Sequence, residues 1–133
     1  MVYTIKDTLF LKKILWLDTI MGLTTAILGL AFFNSLTHLL GLPTNLIKII
    51  SIVTLMYSIV ALILATQKNI SIPLLRLLVN ANWVWTIISV ILFFIHFNQA
   101  EMMGIIFLFL QIFVVGGLAY LEGNQILSFG LND

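Results

Sequence analysis

The sequence predicts an all-α, polytopic membrane protein, built as a single four-helix transmembrane bundle with both termini in the cytoplasm. Three observations predict it. Of the 133 residues, 62% are hydrophobic and only 8% are charged, whereas soluble domains carry roughly a quarter of their residues charged. Runs with no charge, or with one, occupy residues 14–33, 49–66, 77–97 and 102–121. At about 1.5 Å per helical residue each of them crosses, or nearly crosses, a hydrocarbon core of about 30 Å. The basic residues fall unevenly around these runs: Lys6, Lys12, Lys13, Lys68 and Arg76 flank one side and only Lys48 the other. The positive-inside rule therefore assigns both termini and the middle loop to the cytoplasm.

Lysines ahead of the first apolar run resemble a secretory signal superficially. That run is too long for one, carries Asp18, and continues through Gly29 to Phe33 without a small-x-small cleavage site, so it reads as a retained span. Ser35 to Leu40 is too apolar for a free loop and predicts a short helix lying in the interface. Gly41, Pro43, Thr44 and Asn45 stop the first hairpin and start the second span, and Ser71 with Pro73 does the same for the third. Asn98 followed by Glu101 reads as a capping box for the fourth span, and Gly123 as its stop. The runs are too long and too continuous for the alternating strands of a membrane barrel. Helices satisfy their own backbone in lipid.

Several functions are excluded at this level. A net charge of +1 provides no field to hold a nucleic acid. The absence of cysteine removes disulfides, thiolate nucleophiles and cysteine metal sites. His38, His96 and Glu101 share the outer face without metal-ligand spacing, so no metal and no cofactor is expected. There is no G-x-S-x-G elbow, H-E-x-x-H pair or phosphate-cradling glycine loop, and the expectation is a non-enzymatic protein.

Asp18 is the one acid well inside an apolar helix, where an ionised carboxylate costs several kcal/mol and normally faces protein or water. It is the first candidate for a ligand or proton site, and its expected partners are Arg76, Asn80 or Asn82 at similar depth in the third span. There the segment Asn80-Ala81-Asn82-Trp83-Val84-Trp85 concentrates amides and indoles. Amides can surround a carboxylate, and Trp85 can wall a cation or a flat apolar ligand. Trp16 and Trp83 read as interfacial belt residues. Gly22, Ala26 and Gly29, with Asp18 and Thr25, form a small-residue stripe and hence a close-packing face, expected to meet a helix of the same chain. Thr54, Tyr57 and Gln111 agree in depth near the midplane. Glu122, at the inner end of the fourth span, is expected to snorkel or to meet Lys68 or Arg76.

Leu17-Asp18 followed by Gly22, the hairpin Leu39-Leu40-Gly41-Leu42-Pro43, Tyr57, Asn82-x-x-Trp85 followed by Ser89, and Gln111 followed by Ala119 resemble a family of small, uncharacterised bacterial four-span integral membrane proteins. The resemblance runs from about Leu15 to Glu122. It implies a bacterial inner membrane and a compact four-helix unit, brings no substrate, and adds weight to Asp18, Asn82 and Trp85 as a linked group. The expected function is a non-enzymatic binding or accessory subunit with an inner-side polar pocket. Its expected partners are membrane lipids, a second copy or another membrane protein, and a small-molecule ligand. The alternative is a small proton-coupled exporter of lipophilic cations that uses Asp18.

Overall fold

The computed structural model describes residues 2–129. Strand β1 (Val2–Ile5) is followed by helix α1 (Thr8–Ala31), the short helix α2 (Phe33–Leu40), and helices α3 (Thr44–Thr66), α4 (Ile72–His96) and α5 (Met102–Asn124). Strand β2 (Ile126–Phe129) then returns antiparallel to β1, pairing Ile5 with Ile126 and Val2 with Phe129. α1, α3, α4 and α5 are each long and apolar enough to cross a membrane. The short helix expected at Ser35–Leu40 is present as α2, which begins two residues earlier, at Phe33.

The helix starts follow capping chemistry. The Asp7 side chain accepts from the Phe10 amide at 3.1 Å, and Ser71 accepts from the Leu74 amide with Pro73 in the first turn of α4. The capping box expected at Asn98 and Glu101 does not form. The Gln99 and Ala100 amides instead bond back to the His96 carbonyl, prolonging the last turn of α4, and Glu101 itself precedes α5 without a side-chain cap. Nor does α5 stop at Gly123; it continues to Asn124. A glycine ends a helix by turning left-handed, and among the described residues only Gly41 takes a positive φ, 68°, at the end of α2.

Close packing joins α1 to α3 and α4 to α5, and the two pairs touch each other only sparsely. Gly22 and Gly29 explain the first pair, because a Cβ at either would collide with the hydroxyls of Ser58 and Ser51 on α3. Both serines turn those hydroxyls onto their own helix, at the Thr54 and Ile47 carbonyls, so they present little bulk and no unmet polar group. Ala26 is wholly buried between the same glycines. At the far end, α2 lies on α5 through Gly104, whose missing side chain leaves room for the Leu40 carbonyl.

The packed interior has two parts. Leu11, Leu15, Ala61, Leu64, Leu75 and Leu78 fill the end that carries β1 and β2; Leu40, Leu42, Ile47, Ile50, Trp85 and Leu108 fill the opposite end. The stretch between them, where the two helix pairs diverge, holds the polar groups.

A paired-carboxyl cavity between the two helix pairs

A cavity of about 440 Å³ separates α1 and α3 from α4 and α5. Asp18, Asn82 and Trp85 line it together, as do Thr54, Tyr57 and Gln111, so the residues that agree in depth also share one space. Most hydroxyls along the wall are already satisfied. Those of Thr24, Thr25 and Ser58 bond to carbonyls four residues back, and Gln111 Nε2 donates to the Ser89 hydroxyl behind the wall at 2.7 Å. The Tyr57 hydroxyl donates to the Ala81 carbonyl at 3.1 Å, and its ring lies 6.4 Å from that of Trp85.

The exception is the end nearest the strands. Asp18 is 6% exposed, Asn82 3% and Glu122 wholly buried. Asn82 Nδ2 donates to Glu122 Oε1 at 3.2 Å, and the Asp18 carboxyl is their immediate neighbour. Asp18 Oδ2 and Glu122 Oε2 are buried and receive no bond from any donor among the described residues. Two carboxyls in such contact repel when both are ionised and bond when one carries a proton to donate.

Glu122 is the residue that sequence reasoning placed elsewhere, at the interface or against a cation. It meets neither Lys68 nor Arg76 but turns inward to Asp18 and Asn82, because it continues the inward stripe of α5 through Gln111, Val115 and Leu118. That spacing of four, three and four is a helical face, and it was the available signal. Arg76 and Asn80 are not brought to Asp18. Both are exposed and line a second, smaller hollow with Val79 and Gly123, and the Arg76 guanidinium sits over the Tyr3 ring at 4.3 Å. Two residues along a helix correspond to about 200° of rotation, so Asn80 faces away from Asn82, and Trp83 from Trp85. Trp16 and Trp83 point outward.

Among the described residues there is no group of three or more His, Asp or Glu side chains that could hold a metal ion. No family model, curated protein or solved structure matches the chain. The class that fold and composition define is a polytopic helical membrane protein with four long apolar helices.

Proposed function

We propose that this protein is a non-enzymatic membrane binding or accessory subunit whose pocket, with Asp18 and Asn82 at its polar end and Trp85 in its wall, takes an amphipathic small molecule. The observation that carries the reading is the cavity itself. Its surface is mainly apolar, with a few polar groups along the wall and a buried carboxyl and amide at one end, the usual composition of a small-molecule site. Its orientation follows from charge. Lys6, Lys12, Lys13, Lys68 and Arg76 belong to the end of the bundle that carries the strands, and Lys48 to the other, so we place the strand end in the cytoplasm. The family resemblance supports a bacterial inner membrane. A second copy of the chain or another membrane protein would be the partner of an accessory subunit.

Because the chain has no cysteine, single cysteines report sidedness directly. In intact cells an impermeant thiol reagent is expected to label Gln99→Cys and to spare Lys68→Cys; the reverse pattern would invert the assignment. Protein extracted in mild detergent is expected to retain a bound amphiphile or a partner by native mass spectrometry. A monodisperse monomer with neither would overturn the binding reading.

The contact between Asp18 and Glu122 also favours a second reading, proton-coupled export. The same preparation separates the two. Proton release on adding tetraphenylphosphonium, lost in Asp18→Asn, would move the assignment to export, and no release in either protein would remove it.

A further inference from the structure

The geometry points to a long-chain amine, reaching Asp18, with Glu122 behind it, sideways from the bilayer between α1 and α5, as the occupant of this cavity. The inference rests on the binding reading above and names the ligand's chemistry and route. The route follows from which wall is open. Every wall residue from α3 and α4, namely Thr54, Tyr57, Ser58, Asn82 and Trp85, is buried or half-buried, and the contact of Tyr57 with Trp85 and Ala81 closes that side. The exposed members of the wall are Ile20 (60%), Leu110 (54%) and Val114 (39%), with Thr24, and they lie on α1 and α5 alone. The two packed parts of the interior flank the cavity toward the two ends of the bundle. A molecule dissolved among acyl chains meets the opening directly, whereas one dissolved in water would approach from the ends, where the packed clusters lie.

The chemistry follows from the polar end. Asp18 lines the cavity and is more than nine-tenths buried, and its Oδ2 accepts from no donor among the described residues. Beside it stand a second carboxyl and one amide, and no cationic side chain is among the lining residues. An ammonium head supplies what is lacking at Asp18, the carboxyl that lines the cavity: positive charge and several N–H donors for an oxygen left unmet among the described residues, with the buried Glu122 carboxyl behind it. Its alkyl chain would lie along Leu110, Val114 and Phe107. An alcohol of the same length offers one donor and no charge, and an anionic head would be repelled.

The test uses the full chain in nanodiscs with Trp16→Phe and Trp83→Phe, which leaves Trp85 as the one indole, and terminally brominated dodecylamine and dodecanol as quenchers. The amine is expected to half-quench Trp85 at a concentration lower than the alcohol by about tenfold or more, equivalent to about 1.4 kcal/mol. The advantage should vanish in Asp18→Asn and in Glu122→Gln, each close in shape to the native residue. Leu110→Phe and Val114→Phe, both at the mouth, should slow quenching by either compound. Equal quenching by amine and alcohol, or acid variants that change nothing, would overturn the amine assignment and leave the cavity reading standing. Failure of both compounds to quench would remove the cavity reading with it. Unaltered rates in both mouth variants would overturn the route from the bilayer.

Discussion

Replacing Asn82 with leucine is expected to destabilise the bundle by about 2–4 kcal/mol, the range for stranding buried polar groups. Asn82 is the neutral donor between two acids, and its Nδ2 holds Glu122 Oε1. Without it, four carboxyl oxygens share one buried site with no donor but each other. The magnitude alone would not distinguish lost packing from lost satisfaction, but a combined variant does. Removing the whole polar set with Asp18→Val, Asn82→Leu and Glu122→Met should restore stability to within about 1 kcal/mol of the native chain, because an apolar replacement of a complete buried ionic group is often neutral or better. Chemical denaturation in mixed micelles reads both. A combined variant weaker than Asn82→Leu alone would show that the acids are held by something other than this amide. The recovered bundle should no longer distinguish amine from alcohol, separating what the trio does for binding from what it does for folding.

The second large effect is expected at Gly104. A Cβ there would meet the Leu40 carbonyl oxygen and come within 3.0 Å of the Leu40 carbonyl carbon, backbone atoms that no rotamer change can move aside. The same carbonyl accepts the Glu101 amide at 3.0 Å, so pushing α2 away also weakens the bond that seats α5. Gly104→Ala should therefore cost about 1–3 kcal/mol, the usual penalty of overpacking, and lower the unfolding midpoint accordingly. Gly117→Ala is the matched control. Nothing lies within 4 Å of that Cβ position, and alanine is the better helix former by up to about 1 kcal/mol, so the midpoint should hold or rise. Equal losses at the two positions would mean that α2 does not rest on α5.

Much of the bundle is legible from sequence because lipid leaves the chain few options. A run of twenty apolar residues without charge has to satisfy its own backbone, and this makes the four long helices readable without reference to their partners. The small-residue stripe of Gly22, Ala26 and Gly29 is readable for a similar reason, since in a membrane close approach of backbones replaces the hydrophobic drive. What sequence does not supply is rotation. Asn80 and Asn82 look equivalent in a list of polar residues at one depth, yet one faces outward and the other lies in the cavity. Glu122 was assigned a cation because an acid near a helix end calls for one in water. Its actual partners are a second acid and an amide, which only the inward stripe of α5 could have indicated. The β1–β2 ladder was missed as well, since two four-residue strands at opposite ends of a chain carry almost no local signal.

That ladder, together with α2, sets how the opening between α1 and α5 can behave. Lys6 donates its amide to the Gln125 carbonyl at 2.8 Å and Asp7 to the Gln125 side chain at 2.9 Å, lashing the start of α1 to the end of α5. At its other end α1 runs into α2, which rests on the start of α5. The gap is thus a window with both sill and lintel fixed, and its two uprights can part only by bowing in the middle. Slender guests that slip through side-on suit such a frame, and broad rigid ones do not.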